Sequence, residues 1–275
     1  MLFALTAFTP AASAIGPEVA YAERSALLGA DRTCGLFDPG LRAALEAATW
    51  QARGVLLRSG WSETRTDSLG RAATAEGGAK RCSDPAIATA ARNARAGFTG
   101  WTRLMAMRFD GGARAWSARR ISDRDGFYLR QDMTTPRNAA FGIRHEGTAA
   151  AVGFMLPLGV NEPPPSGARL YFRDRARAPR SAADLPGRTR NDLPSLAASR
   201  ASSVTIWASA RRLDEAKDHR LAMFVFPNSV MDRIGALDPR EAIEVEIDGA
   251  TGVSRFYVEV GDFAAARAFL QAQTS

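Results

Sequence analysis

The sequence predicts an α+β protein, with an N-terminal disulfide-tied helical segment and then a mainly antiparallel β-sandwich-like domain closed by a short C-terminal helix. Three observations carry this. Apolar residues repeat at helical spacing through residues 39–101. From Leu104 the period becomes that of alternating strands, with Gly- and Asp-rich turns between the runs. The only two cysteines, Cys34 and Cys82, each lie just before a helix start signal.

Residues 1–14 have the pattern of an export leader. Leu2 to Phe8 form a short apolar run, Pro10 breaks it, and Ala12-Ser13-Ala14 is a small-residue cleavage pattern. A second such pattern, Ala20-Tyr21-Ala22, gives an alternative end at residue 22. The run is too short for a bilayer, which needs about 20 residues, so no transmembrane segment is predicted. The domains expected after the leader are a helical segment at 15–103 and a β-rich domain at 104–275, the latter with a long exposed Arg- and Pro-rich loop at 161–203.

Asp38-Pro39 starts one helix, a side-chain cap followed by proline in the first turn. Leu41, Leu45, Ala48, Ala52 and Val55 then share a face, and Ala43, Ala47, Trp50, Gly54 and Leu57 make a second apolar row. That predicts a helix covered on two sides and ended by Gly60. Ser83-Asp84-Pro85 starts another, with a stripe of Ile87, Ala91, Ala94, Phe98 and Trp101. Export and an even cysteine count favour a Cys34–Cys82 bridge tying the two helix starts together; two buried thiols are the alternative. Neither cysteine has a partner at metal-ligand spacing, and there is no C-x-x-C redox motif.

Strands are expected at Leu104–Phe109, Ala113–Ile121, Phe127–Met133, Ala139–His145 and Ala149–Leu156. Further strands follow at Arg169–Arg173, Val204–Ala210, Leu221–Phe226, Ala242–Ile247 and Val253–Val260. The last pair is the clearest hairpin, with Ile243, Val245 and Ile247 facing inward and Glu244 and Glu246 outward. Asp262 is expected to cap the closing helix.

The catalytic inventory is thin. The only histidines are His145, beside the Glu146-Gly147 turn, and His219, beside the charged stretch Asp214–Asp218. There is no G-x-S-x-G elbow, no S-x-x-K and no second histidine to complete a zincin motif after His145-Glu146. Asp123-Arg124-Asp125-Gly126 lacks the distal glutamate of a calcium loop and reads as a hairpin turn. No cofactor or metal site is predicted.

The chain carries a formal charge of +7, and Lys80 and Lys217 are its only lysines. Arg169, Arg173, Arg175 and Arg177 share parity, so an extended segment would present them on one face as a candidate anion-binding row, followed by Arg180, Arg188 and Arg190. The partners this implies are anionic envelope components such as lipopolysaccharide or an acidic glycan. Nucleic acid is disfavoured by the export signal.

Two stretches resemble the invasion-associated locus B family of exported bacterial proteins. Leu156-Pro157-Leu158-Gly159-Val160, then Pro163-Pro164-Pro165, then Gly167-Ala168-Arg169-Leu170, is similar to that family's strand, turn, proline and next strand. The closing hairpin followed by Gly261-Asp262-Phe263-Ala264-Ala265-Ala266 is similar to its C-terminus. The family usually carries cysteines in its β-domain, whereas this chain has none after Cys82. The resemblance implies a periplasmic antiparallel β-sandwich without established catalytic residues. The expectation is a non-catalytic, exported envelope protein that binds a partner. The alternative is a periplasmic hydrolase using His145 or His219.

Overall fold

A computed structural model of the chain describes residues 16–146, 149–189, 191–216 and 219–271. The leader therefore lies outside the described residues, as does Arg190. Four helices come first: α1 (Pro17–Cys34), α2 (Pro39–Arg58), α3 (Glu63–Ala79) and α4 (Pro85–Phe98). As expected, α2 and α4 start on Asp38 and Asp84, whose carboxylates accept from Leu41 N and Ala86 N at 2.9 and 2.8 Å. Helices α1 and α3 were hidden in the sequence. The first begins on Gly16-Pro17, within the expected helical segment 15–103, and ends on left-handed Gly35 (φ 61°); only the alternative leader end at residue 22 would cut into it. The second is capped by Ser62 and has almost no apolar stripe.

Small residues join α1 to α3. A Cβ on Gly77 would sit 1.8 Å from the Ala26 carbonyl oxygen, and one on Gly29 would sit 2.1 Å from that of Thr74. Gly77→Ala is expected to cost about 1–3 kcal/mol through overpacking. Gly78→Ala, whose Cβ would meet nothing closer than 3.5 Å, is expected to leave the melting midpoint nearly unchanged. Thermal unfolding of the two variants checks this.

Cys34 and Cys82 form a disulfide. Because Cys34 is the last residue of α1, the bridge ties the end of that helix to the start of α4, and not two helix starts.

The β-rich part holds eleven strands among the described residues. These are β1 (Ala106–Asp110), β2 (Ala115–Arg119), β3 (Phe127–Met133), β4 (Ala139–Glu146), β5 (Ala149–Leu158), β6 (Gly167–Arg173), β7 (Ser203–Trp207), β8 (Ala210–Ala216), β9 (His219–Phe226), β10 (Ala242–Gly249) and β11 (Gly252–Glu259). They form an antiparallel seven-stranded sheet, β1-β2-β3-β4-β5-β9-β8, and an antiparallel four-stranded sheet, β11-β10-β6-β7. Neither closes into a barrel. One core fills the space between them, with Phe141, Phe154 and Phe224 from the large sheet facing Leu170, Val245 and Phe256 from the small one. The Gln131 side-chain amide crosses the gap, donating to Glu259 O at 3.0 Å and accepting from Glu259 N at 2.8 Å.

Two expectations need correction. The predicted strand Val204–Ala210 is two strands in different sheets, with the chain changing sheets at Ala208-Ser209. Its continuation, β8, is an edge strand exposed from Ala210 to Glu215, so it carries no apolar alternation to read. Residues 161–203 are not one exposed loop. They contain β6 and the short helix α5 (Leu193–Leu196), which buries Leu193 and Leu196 against Ala242.

Helix α6 (Ser229–Gly235) and the closing helix α7 (Phe263–Gln271) pack on the core, with Phe263 edge-on to Trp116 at 5.2 Å. Asp262 does precede α7, but its carboxylate accepts from Arg58 Nη1 at 2.8 Å and so joins α2 to the sandwich. No described helix is long and apolar enough to cross a membrane.

Candidate ligand-binding groove

The arginine row does not form. Strand β6 ends at Arg173 and the chain turns at Asp174, so Arg175 and Arg177 leave the face that Arg169 and Arg173 share. Each arginine finds a carboxylate. Arg169 pairs with Glu246 and with Asp248 (3.1 Å) while lying over the Trp207 ring. Arg173 is buried; its Nη2 donates to Glu63 Oε2 at 2.8 Å, and its Nε lies 2.7 Å from Glu241 Oε1. Arg175 lies 3.3 Å from Glu63 and 3.4 Å from Asp67, and Arg177 is 3.4 Å from Asp174. The outer face of the small sheet is likewise neutralised, with Arg200 and Arg255 both on Glu244 and Glu246. A sequence shows the arginines in a row; the acids that meet them come from distant positions.

His145 stacks on Tyr128 with ring centroids 4.4 Å apart, and it makes no hydrogen bond to a serine or carboxylate among the described residues. His219 begins β9 at the end of the large sheet; its side chain lies outside the described residues. Among the described residues no group of three or more His, Cys, Asp or Glu could hold a metal ion.

Two grooves open on the helices. One, of about 720 Å³, runs between α4 and the α1–α3 pair over Leu27, Leu45, Ile87 and Ala94. Its lining is mainly apolar, and the charged Lys80 at its rim is paired with Glu76.

The other, of about 680 Å³, runs between α1, α2 and α3, and here polar groups converge. Helix α2 supplies Glu46, Thr49, Trp50 and Arg53 at i, i+3, i+4 and i+7, one face over about 10 Å. Helix α1 adds Tyr21 and Arg32, and α3 adds Asp67 and Arg71. Trp50, whose spacing predicts a covered position, is 40% exposed. Gly70 lets Tyr21 reach the groove, since a Cβ there would sit 2.3 Å from the phenol oxygen.

The electrostatics of this groove differ from those of the sheets. Arg53 donates to Asp67 Oδ1 through Nε and Nη2 at 3.1 and 2.9 Å. Asp31 is taken by Phe37 N and by Arg42. That leaves Arg32, Arg71 and Glu46 in the same groove with no hydrogen bond or ion pair among the described residues. Burial pushes the Glu46 carboxyl above its ordinary value, against the pull of Arg42 and Arg32. Burial likewise raises the Tyr21 phenol. The one sequence signal for this site is the polar set Glu46, Thr49 and Arg53 flanking the second apolar row of α2 beside Trp50; its other walls come from α1 and α3.

Compared with protein-family models, curated proteins and solved structures, the chain matches none.

Proposed function

We propose that the chain is an exported, non-catalytic binding protein of the envelope compartment, with the helical segment as the binding part and the β-sandwich as its support. The observation that carries this reading is the α1–α3 groove, where charged groups with no hydrogen bond or ion pair among the described residues line one cleft with an exposed tryptophan. The disulfide is compatible with export. The resemblance to the invasion-associated locus B family at 156–170 and 242–266 belongs to the same proposal, for compartment and scaffold. A leader ending at Ala14 leaves α1 whole, whereas one ending at Ala22 would remove Tyr21 from the groove.

The test is cell fractionation with intact mass before and after reduction. A chain starting at Ile15, whose two thiols appear only after reduction, is the expected result. A full-length cytoplasmic chain with free thiols would overturn export. Hydrolytic turnover abolished by His145→Ala would overturn the non-catalytic assignment.

A further inference from the structure

We infer that the α1–α3 groove is a binding site for an acidic glycan, one sugar ring stacking on Trp50 and its anionic groups meeting Arg32 and Arg71. This rests on the reading of the chain as an exported binding protein and names its ligand class.

Sugars present an apolar C–H face and a rim of hydroxyls. Their sites therefore combine an aromatic plate with planar polar groups beside it. Trp50 is the plate: it lines the groove, is 40% exposed, and has Arg53 over its ring at 5.8 Å from the centroid. Glu46, one turn away on the same face of α2, has an uncommitted carboxyl that can accept from hydroxyls. Arg32 and Arg71 stand on the opposite walls, and each offers a fork of donors that matches a carboxylate or sulfate. Two unpaired guanidiniums against one unpaired carboxylate favour an anionic ligand, as does the net charge of +7.

Elsewhere exposed aromatics are differently furnished. Trp207 is 55% exposed, but the charged residues lining the cleft beside it are engaged, Arg211 with the Pro165 carbonyl and Asp248 with Arg169. The groove is thus the place where an aromatic plate and unpaired charges of both signs coincide.

The experiment is calorimetric titration of the full, disulfide-bonded protein with a uronic-acid trisaccharide and with a neutral trisaccharide at low ionic strength. The wild type should bind the acidic sugar more tightly, and the affinity should fall as salt is added. Trp50→Ala and Arg71→Ser should each weaken binding about tenfold or more, while Trp207→Ala should leave it unchanged. Arg71 is exposed and unpaired, so its variant tests the site even if Trp50→Ala folds poorly. Absence of binding, equal affinity for the neutral sugar, or binding that survives Arg71→Ser and Trp50→Ala would overturn the inference. None of these outcomes bears on export, which the fractionation decides separately.

Discussion

Replacing Arg173 with alanine is expected to cost about 3–5 kcal/mol of folding stability, because it leaves buried Glu241 without its cation, takes one of the cations from buried Glu63 and empties the space between them. The Arg173 side chain is 1% exposed and stands between Glu63, at the start of α3, and Glu241, just before β10. Its Nη1 also donates to the Ala178 and Pro179 carbonyls at 3.0 and 3.1 Å. One guanidinium therefore fastens the helical segment to the small sheet and to the chain after β6. Glu63 has other cations near, Arg175 at 3.3 Å and Arg53 at 3.7 Å, whereas Glu241 faces Arg173 and, less closely, the like charges of Asp238 and Glu63. Burial accordingly pushes the Glu241 carboxyl from 4.5 up to about 8, and the shared charge of Arg173 does not bring it back down.

The sign of the pH dependence follows. The folded state holds a proton on Glu241 that the unfolded state releases near pH 4.5, so this stability is present at low pH and is lost as pH rises toward about 8. Urea midpoints of the wild type should therefore fall between about pH 6 and about pH 9, and Glu241→Gln should flatten that fall. In the Arg173→Ala background, adding Glu63→Gln and Glu241→Gln should restore most of the loss. A single-variant cost below about 1 kcal/mol would mean that water reaches the pair and that the two parts are held together by α2 and α7 alone.

How much of this could be read from the sequence depended on where each residue's partner lies. Strand β3 and the β10–β11 hairpin are legible because apolar and polar side chains alternate with period 2, even though in β10 the polar Glu244 and Glu246 are buried as well. Helices α2 and α4 were legible from Asp-Pro starts. Helix α3 was not, because it packs through Gly70, Ala73 and Gly77, small residues that leave no hydrophobic stripe. The parity of Arg169 and Arg173 is visible in the sequence, yet its meaning depends on Glu63, Glu241, Glu246 and Asp248, which lie between 68 (Arg173 to Glu241) and 110 (Arg173 to Glu63) residues away. Local pattern reports a charge; only the fold reports whether that charge is already answered. The groove was harder still, for it needs three helices at once, and neither α1 nor α3 has the side-chain cap followed by proline that marks α2.

Removing the Cys34–Cys82 bridge is expected to cost about 4 kcal/mol, from the unfolded-chain entropy of a loop spanning 48 residues. The loss should be uneven. Beyond the disulfide, α4 is held by the small stripe of Ile87, Ala91 and Ala94, by Arg95 donating to the Leu36 carbonyl at 2.6 Å, and by Arg95 against the Phe37 ring. The sandwich, by contrast, shares one continuous aromatic core. In a Cys34→Ser/Cys82→Ser variant, amide exchange should therefore quicken first across 85–98 while β3, β4 and β5 keep their protection. Arg32 lies two residues before Cys34, so loosening the end of α1 should also weaken any ligand held in the α1–α3 groove. Uniform acceleration over both parts would show instead that helices and sheets unfold as one unit. In that case the Glu63–Arg173–Glu241 cluster, and not the bridge, sets the stability of the helical segment, and the disulfide acts on the unfolded chain alone.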